Sequence, residues 1–289
     1  MNVGLAHADT PTRIFVALWA IALLLGTATL GWSMFGIAVA FVAVFGLLCA
    51  LTTLWTKPLR RSVDAIGNRA FAIAVVIISI VFAVVTYDGM LFWGIASQPI
   101  PLWSVLRHTV GNFAVRLGVQ RTELQNPLDS VVLPFVLLAP LRLGRTAFGV
   151  GPFRAGAGRV ALLWIGLGIA VPVIELVLHA WAPMPLGRRV LIDLVRNGYS
   201  EEFLCRGVIL GVLSARLGTS AANVVQALAF GALHAGTGIY DYHNVLVAMS
   251  HTMLTNAVFG LAMGFLTVRT GNIAIPGAFH ALLDAWVPG

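Results

Sequence analysis

The chain has 289 residues, of which 59% are hydrophobic and only 10% are charged, and its formal net charge is +7. With a mean hydropathy of +0.92, this composition excludes an ordinary soluble domain. The basic residues lie mainly between apolar runs and form no aromatic-interleaved patch, so they indicate membrane topology rather than nucleic-acid binding. Cys49 and Cys205 both lie within apolar runs, which indicates neither a disulfide framework nor a cysteine metal site.

Long apolar runs follow one another along the chain. A bilayer core about 30 Å thick requires roughly 20 apolar residues per helical span. Runs of this order lie at Ile14–Gly31, Ser33–Trp55, Ala70–Trp93, Val160–Trp181, Ser220–Ala235 and Val245–Val268. Less uniform candidates are Pro127–Leu141, Tyr199–Leu217 and Ile273–Val287. The runs are too long and too unalternating for barrel strands. We therefore expect an all-α, polytopic transmembrane helical bundle with about eight to nine spans.

The polar residues divide the chain into two regions. Residues 97–130 are polar and interrupted by proline, and they predict a loop that carries an interfacial helix near Leu102–Leu117. We expect residues 1–130 to form N-terminal transmembrane helices with this loop. Residues 131–289 are expected to form the transmembrane core that carries the function, because most polar groups within apolar runs lie towards the C-terminus.

Basic loops give an ambiguous orientation. Loops that contain Lys57 to Arg69 and Arg142 to Arg159 would both lie in the cytoplasm under the positive-inside rule. A third basic loop, from Arg188 to Arg196, follows only one span later, which contradicts strict alternation. The side of the membrane on which each loop lies is therefore open.

Two adjacent glutamates begin one of the less uniform runs, in the sequence NGYSEEFLCR at residues 197–206. Ser200 or Asn197 can cap a helix there, which would put Glu201 and Glu202 in its first turn, where the helix dipole favours negative charge. A charge cluster that snorkels to the membrane interface is the simplest interpretation of such a stretch. A catalytic role is the alternative, because ionisable groups within a membrane are commonly functional.

The spacing of these charges separates the two glutamates. Glu202 and Arg206 are four residues apart and can pair on one helical face. Glu201 points about 100° away from its neighbour, because one helical turn takes 3.6 residues. We therefore expect Glu202 to be neutralised by Arg206 and Glu201 to face another part of the protein.

Histidines in apolar surroundings are candidates for that other part. His234 lies in ALAFGALHAG, and His280 lies in IPGAFHALLDAW with Asp284 four residues later on the same helix face. A lone histidine in such a run is more often a core residue, but one Glu, two His and one Asp on three helices form a plausible hydrolytic site. The glutamate would be a base for water, and the imidazoles would be metal ligands or donors to an oxyanion.

Three motifs in this region resemble those of the CAAX protease and bacteriocin-processing family (CPBP, also called Abi) of intramembrane endopeptidases. EEFLCR at 201–206 matches EExxxR, FGALH at 230–234 matches FxxxH, and HALLD at 280–284 matches HxxxN/D. The resemblance covers about residues 197–286, and the three motifs occur in the family's order on separate apolar runs. It implies a multi-pass protease of the cell membrane that cleaves a membrane-associated peptide or protein.

The resemblance also implies roles for individual residues. Glu201 would activate the attacking water, while the two histidines and Asp284 would complete the site. The candidate catalytic residues are Glu201, Glu202, Arg206, His234, His280 and Asp284. The candidate ligands of a divalent metal such as Zn²⁺ are Glu201, His234, His280 and Asp284. A site in which the histidines form an oxyanion hole without metal stays open, although Asp284 stands where many members have Asn and suits a metal ligand.

Other classes of function remain as alternatives. The HExxH, Ser/His and GxGD signatures of other membrane proteases are absent from the sequence. A transporter or proton relay would use Glu175, His179, Glu201 and His234, although no inverted repeat is visible. A membrane scaffold that retains the fold without activity is the second alternative. Elsewhere, we expect Glu175 and His179 to pack structurally, and His251, with Asn256 nearby, to form hydrogen bonds between helices.

Overall fold

The computed structural model describes residues 9–57, 66–179 and 183–285. Within these ranges the chain is helical and has no strand, apart from one isolated bridge between Val150 and Asn272. The first helices are α1 (Thr10–Leu30), α2 (Trp32–Trp55), α3 (Asn68–Phe92), α4 (Trp103–Arg116), α5 (Arg121–Pro127) and α6 (Leu133–Leu138). The predicted interfacial helix is therefore present as α4.

The second half of the chain is divided into shorter pieces. Its helices are α7 (Ala157–His179), α8 (Pro183–Asp193), α9 (Tyr199–Glu202), α10 (Leu210–Leu217), α11 (Thr219–Leu233), α12 (Ala235–Tyr242), α13 (Val245–Leu254), α14 (Asn256–Thr270) and α15 (Ala274–Asp284). Wider π-helical turns lie at Leu128–Val132, Leu194–Gly198 and Phe203–Ile209. The last two flank α9, so that α8 to α10 form one continuous helical segment.

Six helical segments of the described residues are long and apolar enough to cross a membrane. They are Thr10–Leu30, Trp32–Trp55, Asn68–Phe92, Arg121–Leu141, Ala157–Ile174 and Val245–Thr270. The chain is a multi-pass helical membrane protein, as its composition predicts. The division of the chain at residue 130 stays a prediction.

Fewer helices of the described residues are long enough to cross a membrane than the eight to nine spans that the sequence predicts. The α11 helix has 15 residues and α15 has 11, so both are too short to cross a bilayer on their own. Gly218 (φ 76°) precedes α11 and Gly271 (φ 81°) follows α14, and such backbone angles favour glycine over other residues.

The centre of the bundle lies along the last of the six spans. In Val245–Thr270, 61% of the most apolar stretch is buried inside the bundle. In the other five spans only 17–28% is buried, so most of their residues face outwards. Aromatic rings fill the space beside it. Phe45, Trp164, Phe230, Phe259 and Phe279 are buried, and Trp164 meets Phe279 edge-on at 5.0 Å between ring centroids. Each such pair stabilises the core by roughly 0.5–1.5 kcal/mol beyond its buried area.

The expected helix cap before the glutamates is wrong. The chain is already helical from Pro183 onwards, so no helix begins at Asn197 or Ser200 and no free backbone N–H groups exist there to be capped. Ser200 instead donates its hydroxyl to the carbonyl of Val195 at 2.5 Å. The carboxylates therefore lie inside a continuous helical segment, and the argument from the positive end of a helix dipole does not apply to them.

Candidate active site

Glu202 and Arg206 form a buried ion pair. Nη1 of Arg206 lies 3.0 Å from Oε1 of Glu202, and neither side chain is exposed. The guanidinium also lies over the ring of Phe230, 4.1 Å from its centroid. Removing two charges from water is costly, and mutual attraction with a cation–π contact offsets that cost. The pair that the four-residue spacing predicts is therefore present in the fold.

His280 is oriented by the same carboxylate. Its Nδ1 lies 3.1 Å from Oε1 of Glu202, within hydrogen-bond distance. Its Nε2 is 3.6 Å from Oδ2 of Asp284 and 4.0 Å from Oε2 of Glu201. A carboxylate only accepts, so Nδ1 of His280 donates. When the ring is neutral, the lone pair of Nε2 faces Asp284 and Glu201.

His234 presents the same face from another helix. It directly follows the last residue of α11, and its Nδ1 donates to the carbonyl of Phe230 at 2.8 Å, since a carbonyl oxygen only accepts. Its Nε2 is 3.8 Å from Oε2 of Glu201. When both rings are neutral, two Nε2 lone pairs converge on one carboxylate. This arrangement suits histidines that bind a cation or a polarised water, with the other ring nitrogen held by a partner.

Glu201 is the carboxylate without a local partner. Its Oε2 is buried and has no hydrogen bond, while the side chain as a whole remains 22% exposed. The distances of 3.8 and 4.0 Å to the two imidazoles exceed direct hydrogen-bond lengths, and a bridging water spans such separations. A partly exposed carboxylate at this position is accessible to a substrate, whereas Glu202 is not.

Asp284 is held by residues that the motifs did not identify as part of a site. Asn197 donates from Nδ2 to Oδ2 of Asp284 at 2.8 Å. Asn126, from α5, donates in turn to Oδ1 of Asn197 at 3.2 Å. Asn197 lies within the motif region, so its position there was a signal. Nothing in the sequence around Asn126 links it to the site, which lies 71 residues further along the chain.

The glutamates meet α15 because two backbones approach closely. A Cβ atom at Gly198 would lie 2.5 Å from the carbonyl oxygen of Gly277 and 2.9 Å from the Cβ of Ala281. Real side-chain carbons do not come so near a backbone oxygen, so only glycine permits this contact. The contact places Gly198, just before the glutamates, against Gly277 of α15, three residues before His280.

The comparisons with known proteins concern this same region. Residues 183–286 match the family model described as Rce1-like, Type II CAAX prenyl endopeptidase Rce1-like. The stretch that matches is similar to this family and is referred to as the Rce1-like domain. The resemblance indicated by the three motifs is therefore confirmed, and the family implies a CAAX-type intramembrane protease. No curated protein matches the chain, and no solved structure does so.

All six predicted site residues belong to the Rce1-like domain, and the fold brings them together. Glu201, Glu202, His280 and Asp284 are linked through His280, while Arg206 and His234 each contact one of the glutamates. Their catalytic roles stay predictions. His251 packs against Tyr242, with 5.3 Å between ring centroids. The side chains of Glu175 and His179 lie outside the described residues.

The described side chains of the Rce1-like domain are of the chemical types that bind a metal, but they are not arranged around one metal position. Zn²⁺ sites in hydrolases use neutral imidazoles with a carboxylate, as His234, His280 and Glu201 offer. Among the described residues, however, no group of three or more His, Cys, Asp and Glu side chains is arranged to hold one metal ion. Asp284 already accepts from Asn197. A metal site at these four residues stays a prediction.

Proposed function

We propose that this chain is an intramembrane endopeptidase in which Glu201 activates the water that attacks a peptide bond. The observation that carries the proposal is the buried Oε2 of Glu201, which has no hydrogen-bond partner and faces Nε2 of both His234 and His280. The Rce1-like domain supports the reaction class. A peptide or protein associated with the membrane is the substrate class that follows.

The chemistry divides between the two glutamates. A water that lies between Glu201 and the imidazoles transfers a proton to Glu201 as its oxygen attacks the peptide carbonyl carbon. Glu201 then returns the proton to the leaving amine as the carbon–nitrogen bond breaks. A positioned base of this kind contributes roughly 10²–10⁴-fold to the rate. Glu202 is paired with Arg206 and acts as a positioning residue that holds the ring of His280.

A bound divalent metal is a further part of the proposal that the donor types support. The residues that would hold it are His234 and His280 through Nε2, together with Asp284, while Glu201 would be either the base or a fourth ligand. When bound, the metal would supply a Lewis acid that polarises the peptide carbonyl. The shared orientation of the two rings, with each Nδ1 bound to an acceptor, supports this set of ligands.

The test is an activity assay of the full chain in nanodiscs with a panel of fluorogenic peptides, with and without a prenylated CAAX terminus. We expect the wild type to cleave at least one peptide and Glu201→Gln to cleave none at a comparable rate. His243→Asn is a matched control, because His243 is exposed and left-handed (φ 51°), a conformation that Asn tolerates. Equal rates for the wild type and Glu201→Gln would contradict the proposal and favour a scaffold or a transporter.

A further inference from the structure

Two adjoining cavities lie away from the catalytic residues. The apolar cavity has a volume of about 1180 Å³, and among the residues that line it are Phe45, Cys49, Val258, Leu261, Phe265 and Arg269. The basic cavity has a volume of about 570 Å³, and its charged lining residues are Lys57, Arg154, Arg159 and Arg269. Arg269 lines both cavities, so the basic cavity and the apolar cavity meet at its side chain.

The four cations of the basic cavity have no carboxylate partner among the described residues. Arg154 donates to the carbonyl of Val268 at 2.6 Å, and Arg269 donates to the carbonyl of Thr56 at 3.1 Å. Lys57 and Arg159 are exposed. Four cations brought together by three separate segments repel one another unless an anion lies among them. Arginine and lysine side chains in such a recess favour a phosphate.

The apolar cavity lies between α1, α2, α11 and α14, near the end of the bundle where α2 and α14 finish. Its volume is greater than the roughly 300–1,000 Å³ of common small-ligand sites, and its lining is mostly hydrocarbon. Asp9 is the acidic residue that lines it, at the start of α1, where its side chain accepts from Thr12. The space therefore suits a hydrocarbon chain whose charged end lies at Arg269.

An aromatic wall separates the apolar cavity from the candidate active site. Phe45 lines the cavity and packs against Phe259 at 5.6 Å between ring centroids, and Phe259 packs against His280 at 4.9 Å. None of the six predicted site residues lines either cavity. The two cavities thus form a site of their own rather than an extension of the catalytic one.

We propose that the two cavities together bind one anionic glycerophospholipid. Its headgroup phosphate lies among Lys57, Arg154, Arg159 and Arg269, and one acyl chain runs along the apolar cavity past Phe265 and Phe45. Basic pockets beside transmembrane helices select anionic headgroups, with each Lys or Arg near the surface contributing to the attraction. The proposal does not depend on the proteolytic function, because no catalytic residue takes part in it.

The test measures lipid retention by native mass spectrometry of the full chain in dodecyl maltoside after delipidation. The probes are palmitoyl-oleoyl phosphatidylglycerol, the matching phosphatidylcholine, and soluble glycerol phosphate. We expect one phosphatidylglycerol per chain to be retained in preference to phosphatidylcholine by roughly tenfold or more. Glycerol phosphate alone should not be retained, because the acyl chain is required for binding. Equal retention of the two lipids, or equal retention of glycerol phosphate, would overturn the proposal.

Two pairs of variants test the two parts of the site separately. The double variant Lys57→Gln/Arg159→Gln should abolish the headgroup preference, whereas Arg142→Gln/Arg145→Gln, which removes the same charge from exposed residues outside both cavities, should retain it.

In α2, Gly46 lines the apolar cavity and Gly36 does not, and a Cβ at either position meets no atom within 4 Å. Gly46→Leu should therefore fill the cavity and reduce phosphatidylglycerol retention several-fold, while Gly36→Leu should not. Loss of retention in both members of either pair, or in neither, would contradict the assignment.

Discussion

Oε1 of Glu202 lies 3.1 Å from Nδ1 of His280, and the same oxygen lies 3.0 Å from Nη1 of Arg206. One buried carboxylate oxygen therefore joins two residues of the first motif to the histidine of the last, 78 residues away. In the proposed function, Glu202 supports the site and its neighbour Glu201 faces the substrate.

The first prediction concerns Glu201 alone. We expect Glu201→Ala to lower peptide turnover by roughly 10²–10⁴-fold while the thermal unfolding temperature stays near that of the wild type. The reason is that Oε2 of Glu201 makes no hydrogen bond, so its removal breaks none. Turnover and unfolding are measured on the same preparation. Turnover above about a few per cent of the wild type would contradict the role of base.

The second prediction concerns the buried ion pair. Glu202→Gln and Arg206→Ala should each destabilise the protein by roughly 3–5 kcal/mol, because each leaves one buried charge without its partner. The double variant Glu202→Gln/Arg206→Met removes both charges and should recover part of that loss. The measurement is thermal unfolding in detergent. A double variant no more stable than the worse single variant would show that the two side chains do not stabilise each other.

The third prediction concerns metal. We expect purified active protein to contain close to one Zn²⁺ or similar ion per chain, with reversible inhibition by 1,10-phenanthroline. His234→Ala and His280→Ala should lose metal and activity together, since each removes one imidazole of a small ligand set.

Elemental analysis decides between this outcome and a site without metal. Full activity with negligible transition metal would end the metal interpretation. Each histidine would then act in its protonated form, as a hydrogen-bond donor from Nε2 to the oxyanion, and its replacement should cost roughly 10²–10³-fold in turnover.

The fourth prediction concerns the backbone contact that brings the motifs together. Gly198→Ala should destabilise the protein by roughly 1–3 kcal/mol and lower turnover, because the added methyl group meets the carbonyl of Gly277 and the Cβ of Ala281. Gly187→Ala is the matched control in α8, where a Cβ meets no atom within 4 Å. Alanine there should leave stability unchanged or raise it slightly, owing to its helix propensity. Equal effects of the two substitutions would show that the close approach is not required.

Local patterns in the sequence predict local structure well in this protein. Apolar runs identify the long helices such as α2 and α3, because a span in lipid must satisfy its backbone within one segment. The four-residue spacing of Glu202 and Arg206 predicts their pairing, because both lie on one helical face. The three motifs identify the region that the Rce1-like match covers.

Features that depend on distant packing escape such reasoning. The helix that precedes Asn197 removes the expected cap, and the polar stretch around Arg188 gave no sign that it is helical. Asn126 joins the site only through Asn197, a contact between side chains far apart in the chain. An apolar run shows that a segment avoids water, but it does not show where the helix begins and ends. Both α11 and α15 are shorter than the apolar runs that predict them.

The π-helical turns on both sides of α9 have a consequence for how the glutamates are aimed. An α-helix advances its side chains by about 100° per residue, whereas the i→i+5 bonding at Leu194–Gly198 and Phe203–Ile209 takes more residues per turn. Glu201 and Glu202 therefore point in directions that differ from those an unbroken α-helix from α8 to α10 would give them. Deleting a single residue from the turn at Leu194–Gly198 is therefore expected to rotate the pair relative to α8.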